Sequence, residues 1–119
     1  MTGCIVLYNN NKNILQQAIN SFLNCEIVNK LYLIDNSPTD NLKDICVDER
    51  VEYIHNPSNP GFGAAHNIAI KKAIELGSNY HLVLNPDVYF ENTTIDLLLK
   101  FMNDHPNVGN VMPKVLYPD

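Results

Sequence analysis

Cys4-Ile5-Val6-Leu7-Tyr8 is the stretch from which the fold can be predicted, because a continuous apolar run is typical of a strand covered on both faces. Polar residues follow this run. Apolar side chains then recur at helical spacing between Ile14 and Leu23, with Asn11 in position to cap the helix. A buried strand followed at once by an amphipathic helix indicates the first half of a βαβ unit.

The same alternation continues along the rest of the chain. Further strands are predicted at residues 30–34, 51–55, 80–84 and 108–112. Helices are predicted at residues 41–46, at 64–76 with Gly77 as the C-cap, and at 93–103, where Thr93 and Asp96 resemble a capping box. The order βαβαβαβαβ predicts an α/β fold with three layers, Rossmann-like, in which helices cover both faces of a mainly parallel sheet with right-handed crossovers.

Composition narrows the class of protein. The 119-residue chain carries a net charge of −5, and its eight Lys and Arg residues do not cluster. This excludes a broad surface for nucleic acid or anionic lipid, although backbone N–H groups at a helix end can still bind an anion. Three widely spaced cysteines indicate reduced thiols rather than a zinc site. With no signal peptide and no apolar run near the roughly 20 residues of a membrane span, we expect one cytoplasmic domain.

Polar residues stand where each predicted strand ends. In open parallel sheets, ligands bind at the carboxyl ends of the strands. The residues expected there are Tyr8 and Asn9, Asp35 and Asn36, His55 and Asn56, and Asn85 and Asp87. Turn formation alone would explain any one of them, but their combination at a single edge predicts a binding site.

Two carboxylates at this edge each allow two interpretations. Asp87 follows a rigid proline at a strand end, and Mg²⁺ or Mn²⁺ is usually held by one or two carboxylates plus substrate phosphates. Its alternative role is an Asx cap of the next turn. Asp35 could accept a hydrogen bond from a pyrimidine N–H. Its alternative is an Asx-turn with Ser37 or Thr39.

Glycine and histidine give weaker signals. Gly61 and Gly63 precede a helix and permit a close approach of the backbone to a ligand, as glycines in an ordinary loop would also do. His55 and His66 are the two histidines near the edge. We expect both to be satisfied hydrogen-bonding groups rather than catalytic bases.

Four segments together resemble the motifs of family 2 glycosyltransferases, which have the GT-A fold. The first strand with Asn9 is similar to that family's opening V-V-x-Y-N. The other three segments are Leu33-Ile34-Asp35-Asn36-Ser37-Pro38-Thr39-Asp40, Asn59-Pro60-Gly61-Phe62-Gly63-Ala64-Ala65-His66-Asn67 and Leu84-Asn85-Pro86-Asp87. The last looks like the L-N-P-D form of the DxD metal motif that is common in rhamnosyltransferase-like members. The four segments cover nearly all of the chain in the right order.

The resemblance implies a role for each matching position. Tyr8, Asn9 and Asp35 would contact the nucleoside of a nucleotide-diphospho-sugar donor. The same pocket would be lined by Asn36, Gly61, Phe62, Gly63, Asn67 and Asn85, and Asp87 would bind the Mg²⁺ or Mn²⁺ ion that bridges the diphosphate. This chain departs from the family pattern at two positions. Asn85 replaces the first aspartate of many members, and His66 stands where arginine or asparagine is more usual.

The reaction that the resemblance implies is an inverting, metal-assisted sugar transfer to a saccharide or lipid-linked acceptor, as in polysaccharide biosynthesis. The family's catalytic base lies well downstream of the DxD-like motif, so we expect it beyond Asp119 and name none here. Residues 1–119 would then be the donor-binding part of a GT-A domain cut before its acceptor half. We also expect that this chain is inactive by itself and that it forms a homo-oligomer through the cut edge. The native protein would be longer and would lie at the inner face of the membrane.

Two alternatives from other classes remain. A non-catalytic nucleotide-sugar-binding domain could keep the fold without transferring a sugar. A dinucleotide-binding Rossmann module is suggested by the glycines at 61 and 63, but the third glycine of that fingerprint is missing. The glycines also follow the third strand rather than the first.

Overall fold

The computed structural model describes residues 1–58, 61–107 and 109. Its regular elements are, in chain order, β1 (Thr2–Leu7), α1 (Lys12–Leu23), β2 (Lys30–Asp35), β3 (Val51–His55), α2 (Phe62–Leu76), β4 (His81–Leu84) and α3 (Asn92–Asp104). The fifth strand predicted at residues 108–112 lies outside the described residues, apart from Gly109. The alternating pattern of strands and helices is therefore confirmed through α3, except between β2 and β3.

The four strands form one sheet in the order β3-β2-β1-β4, and every neighbouring pair is parallel. Ile5 in the middle of β1 is paired with Leu33 of β2 on one side and with Leu84 of β4 on the other. The connection from β3 through α2 therefore crosses the sheet to reach β4. Strand β1 lies at the centre, which explains its continuous apolar run.

The two faces of the sheet carry separate cores. Alternate residues such as Ile5 and Leu33 pack with α1, and Ile95 of α3 joins the same cluster. The intervening residues, among them Val6 and Ile34, pack with α2. Helices therefore cover both faces, and the predicted three-layer, Rossmann-like α/β fold is confirmed.

Local signals in the sequence placed the ends of two helices correctly. Asn11 caps α1, and its side chain accepts hydrogen bonds from the N–H groups of Asn13 and Ile14 at 2.9 and 3.1 Å. Gly77 ends α2 in the left-handed conformation with φ of 81°. The capping box predicted for the last helix is wrong, because α3 begins earlier and its N-cap is Glu91, which makes no side-chain capping bond.

Two further predictions need correction. Residues 41–46 form turns rather than a helix, with 3.0–3.1 Å bonds from Lys43 and Ile45 to the carbonyls three residues before them. A stretch this short gains too few bonds to offset helix nucleation. Strand β4 is not fully buried: Val83 is 49% exposed, because β4 pairs with β1 and with no second strand of the described part.

Among the described helices, none combines the length and the apolar character that crossing a membrane would require.

Candidate functional site

The polar strand ends meet at one side of the sheet, which we call the carboxyl edge. The strands end there at Leu7, Asp35, His55 and Leu84, and α2 begins there after β3. The strand order places β1 between β2 and β4. Asp35 follows β2 and Asp87 follows β4, so the two carboxylates belong to strands on either side of β1 that are not paired with each other.

Asp35 is buried at this edge with 0% exposure. Its Oδ1 accepts the N–H of Ser37 at 2.9 Å, which confirms the Asx-turn with Ser37. Its Oδ2 accepts a hydrogen bond from the hydroxyl of Tyr53 on β3. Burial, and then this bond, raise the pKa of Tyr53 above its usual range, so its hydroxyl remains the donor. Contact between Asp35 and a nucleoside stays a prediction.

Ser37 joins three strand ends, a role that the sequence did not reveal. Its Oγ accepts the N–H of Asn9 after β1 at 2.8 Å, and its carbonyl lies 2.9 Å from Nε2 of His55 at the end of β3. His55 is therefore a satisfied structural group, as predicted. These bonds hold the loops after β1, β2 and β3 in one arrangement.

The loop after β1 exposes an aromatic side chain. Tyr8 is 53% exposed, and its N–H donates to Oδ1 of Asn10 at 2.7 Å. Asn9 adopts a left-handed backbone with φ of 49°, a conformation that asparagine tolerates better than most residues. The turn presents the Tyr8 ring at the carboxyl edge.

Asn36 carries an unsatisfied polar atom at the same edge. The residue is 3% exposed, and its Oδ1 has no hydrogen-bond partner in the described part of the chain. Its backbone N–H donates to the carbonyl of Leu7 at 2.9 Å, which ties it to β1. A buried acceptor without a partner costs free energy, so Oδ1 is suited to a ligand hydroxyl or N–H.

The N-terminus of α2 is open to a ligand. Gly61 at the N-cap has φ of 100°, a conformation that favours glycine, and no described side chain caps the helix. Among the described residues, no non-adjacent atom lies within 4 Å of a Cβ placed on Gly61 or Gly63. Phe62 and Asn67 are exposed beside them. Free N–H groups of a first helical turn form a ready site for an anion.

His66, in the second turn of α2, contradicts the expectation of a satisfied side chain. It is 4% exposed, and neither Nδ1 nor Nε2 has a hydrogen-bond partner among residues that the structure describes. Burial lowers the pKa of His66, which favours the neutral ring. Helical spacing could have placed His66 on the buried face of α2, since it lies three residues before Ala69 and seven before Ala73. Whether its ring nitrogens find partners depends on tertiary packing, which no local signal reveals.

Asp87 and Asn85 are exposed in the turn that follows β4. The Asx interpretation of Asp87 gains no support, since its carboxylate accepts no hydrogen bond from another described residue. No three metal-binding side chains converge within residues 1–58, 61–107 and 109. The chain therefore fits a Mg²⁺ or Mn²⁺ ion only if phosphate and water supply most of the ligands, which is the usual arrangement for these ions.

Two cavities, of about 600 and about 250 Å³, lie at the opposite edge of the sheet, next to Met1 and the end of α3. Neither contains the polar strand ends. We place the candidate site at the carboxyl edge nevertheless, because the free N–H groups of α2, the unpartnered side-chain atoms of Asn36 and His66, and the exposed carboxylate of Asp87 lie on that side.

Comparison with known proteins agrees with this fold. The solved structure of residues 1–349 of TarS from S. aureus superposes with a TM-score of 0.65 at 16% identity, covering 96% of this chain and 39% of that one. A longer TarS structure superposes with a TM-score of 0.64 at 16% identity and covers 99% of this chain and 24% of its own. At this identity the likeness establishes the fold alone.

Two curated relatives are similar in sequence. An uncharacterized glycosyltransferase of Rickettsia conorii is 32% identical over 80 residues, 64% of this chain and 13% of that protein. The low-salt glycan biosynthesis hexosyltransferase Agl10 of Haloferax volcanii is 28% identical over 90 residues, 75% of this chain and 29% of its own length. This chain thus spans less than a third of either relative. The model of the family "Glycosyl transferase family 2" matches residues 3–119, so the chain belongs to glycosyltransferase family 2.

Proposed function

We propose that this chain binds the nucleoside diphosphate part of a nucleotide-sugar, and that the protein transfers the sugar to an acceptor hydroxyl. The observation that carries the proposal is the set of groups at the carboxyl edge. These are the exposed ring of Tyr8, the unpartnered Oδ1 of Asn36, the uncapped N-terminus of α2 and the exposed carboxylate of Asp87. They match the parts of a nucleotide-sugar: an aromatic base, hydroxyl groups and a charged diphosphate.

Each group has a distinct task in this proposal. The Tyr8 ring stacks on the base, an interaction worth about 0.5–1.5 kcal/mol beyond its buried area. Asn36 accepts a hydrogen bond from the nucleoside. The free N–H groups at the start of α2 face the diphosphate, where the helix dipole also favours negative charge.

Asp87 is the residue that would hold a divalent cation, with phosphate oxygens and water as its other ligands. When bound, the cation stabilises the negative charge on the departing nucleoside diphosphate. Asn85 lies two residues before Asp87 in the same turn and is exposed. Its carboxamide oxygen is a suitable but weaker ligand than the aspartate found there in many family members.

The finer features of the reaction also belong to this proposal. A single inverting displacement needs a base that takes the proton from the acceptor hydroxyl, and none of the described carboxylates is assigned that role. The Haloferax volcanii relative is a hexosyltransferase by name, which supports a hexose donor. The segment from Leu84 to Asp87 supports the narrower class of rhamnosyltransferase-like enzymes.

Calorimetric titration of the 119-residue chain with UDP and TDP, with and without Mn²⁺, tests the proposal. We expect binding that weakens when EDTA removes the metal. Asp87→Asn should remove this metal dependence and lower affinity in Mn²⁺ by on the order of tenfold, about 1.4 kcal/mol. Asp104→Asn is the matched control, because Asp104 is an equally simple exposed carboxylate at the far end of α3.

The outcomes separate the parts of the proposal. Equal affinity for the nucleotide with and without EDTA would refute the assignment of a metal to Asp87 and would still support the nucleotide site. Absence of binding to both nucleotides would overturn the donor site itself. Tighter binding of NAD than of UDP or TDP would support the alternative of a dinucleotide-binding module.

A further inference from the structure

His66 has hydrogen-bonding capacity that nothing in the described protein uses. An imidazole has two ring nitrogens, a donor and an acceptor when neutral, and both nitrogens of His66 are buried without a partner. Buried polar groups in folded proteins are nearly always satisfied, so an exception calls for a partner outside the described residues. His66 stands where arginine or asparagine is more usual in the family. All three side chains can donate an N–H, and the imidazole reaches less far than a guanidinium.

The position of the ring points to that partner. Helical side chains tilt toward the N-terminus of their helix. The His66 ring accordingly contacts Phe62 edge-on, with ring centroids 4.3 Å apart. His66 also belongs to the buried stripe of α2 with Ala65 and Ala69, which face the sheet. The ring therefore lies against the first turn of α2, on the side of the helix that packs on the sheet.

We propose that His66 donates a ring N–H to an oxygen of the donor diphosphate, which the N-terminus of α2 binds at the same time. This inference rests on the proposed function, because it requires that a nucleoside diphosphate occupies the site. The described chain offers the phosphate an uncapped helix N-terminus and this imidazole. A phosphate oxygen accepts from both, and a hydrogen bond to a charged group is stronger than one between neutral groups.

His66→Phe tests the assignment, because it keeps an aromatic ring of similar size and removes both nitrogens. We expect UDP affinity to fall on the order of ten- to a hundredfold in Mn²⁺. Binding of uridine, measured by competition, should not change, since uridine has no phosphate. His66→Asn restores a short N–H donor and should recover part of the lost affinity. It also serves as the informative variant if His66→Phe does not give a cooperative melt.

His81→Phe is the matched control. His81 is also a partly buried histidine with one unpartnered nitrogen, but it lies at the start of β4, away from the carboxyl edge, where Nδ1 pairs with Thr2 Oγ1 at 2.8 Å. Its replacement should leave UDP affinity unchanged even if it lowers stability.

Each outcome decides one point. Unchanged UDP affinity in a folded His66→Phe protein would overturn the inference and leave the proposed function intact. An equal loss for uridine and UDP would also overturn it, because His66 would then contact the nucleoside. Failure of the wild-type chain to bind UDP or TDP would instead refute the proposed function.

Discussion

The Tyr53 hydroxyl on β3 donates a hydrogen bond to Oδ2 of Asp35 at the end of β2, across the sheet from one strand to the next. Oδ1 of the same carboxylate accepts the N–H of Ser37, and Asp35 is completely buried. Both oxygens therefore have partners inside the protein. A carboxylate oxygen can accept more than one hydrogen bond, so a ligand N–H could still join Tyr53 or Ser37 there.

Tyr53→Phe should destabilise the domain, because it leaves one oxygen of a buried carboxylate without its donor. A hydrogen bond to a charged group contributes about 1.5–3 kcal/mol. In a double-mutant cycle with Asp35→Asn, the two changes should be non-additive by an amount of that order. Urea unfolding of the wild type, both single variants and the double variant measures this coupling.

Tyr80→Phe is the control for the same chemical change. The Tyr80 hydroxyl donates to Asn103 at an exposed position, where water can replace the lost bond. Its effect on the free energy of unfolding should be smaller than that of Tyr53→Phe. Equal effects of the two variants would mean that the hydrogen bond between Tyr53 and Asp35 contributes no more to stability than an exposed one.

Most of the architecture could be predicted because its signals are local. The apolar run ending at Leu7, the cap at Asn11 and the stop at Gly77 each depend on residues within one turn or one strand. The alternation of strands and helices then restricts the fold to a parallel sheet with helices on both faces. Polar strand ends could likewise be assigned to one edge without knowing any distance.

Strand order and tertiary packing could not be predicted in the same way. That β1 separates β2 from β4 depends on pairings such as Ile5 with Leu84, which are far apart in sequence. Tyr53 reaches Asp35 only in the register that pairs β2 with β3. The lack of a partner for either His66 nitrogen in the described part follows from how α2 lies on the sheet. These features decide which site residues have partners and which do not.

Gly3→Ala should destabilise the domain through overpacking. A Cβ on Gly3 would lie 2.5 Å from two ring carbons of Phe22, and Phe22 is fully buried in α1 against this face of the sheet. Inserting a methyl group into such a core typically costs about 1–3 kcal/mol. Chemical denaturation at equilibrium measures the loss.

Gly63→Ala is the counterpart for that test. In the part of the chain that the structure describes, no non-adjacent atom lies within 4 Å of a Cβ at Gly63, and alanine is the better helix former by up to about 1 kcal/mol. This variant should be as stable as the wild type or slightly more stable. A loss at Gly63 equal to that at Gly3 would contradict the explanation by contact with Phe22.

Stability should fall as the solution becomes acidic, through one buried histidine, His66, and one partly buried histidine, His81. Burial lowers the pKa of His66, and burial together with the nearby His66 lowers the pKa of His81. Above the unfolded-state pKa of about 6.5, both histidines are neutral in the folded and the unfolded chain, so stability is fully present. As the pH falls through this value, the unfolded chain binds protons that the folded chain does not. The free energy of unfolding then decreases, by at most about 1.4 kcal/mol per pH unit for each histidine.

Urea unfolding between about pH 7.5 and pH 5 measures how the free energy of unfolding changes with pH. The variants His66→Gln and His81→Gln show how much of that change each histidine causes, since glutamine does not titrate. Each variant should lose part of the pH dependence that the wild type shows in this range, while carboxylates and the other histidines contribute equally to all three proteins. His66→Gln should also reduce the contribution of His81, because a protonated His66 no longer opposes its charge. An unchanged slope in both variants would show that neither imidazole is held neutral by the fold, and that the acid sensitivity arises from other groups.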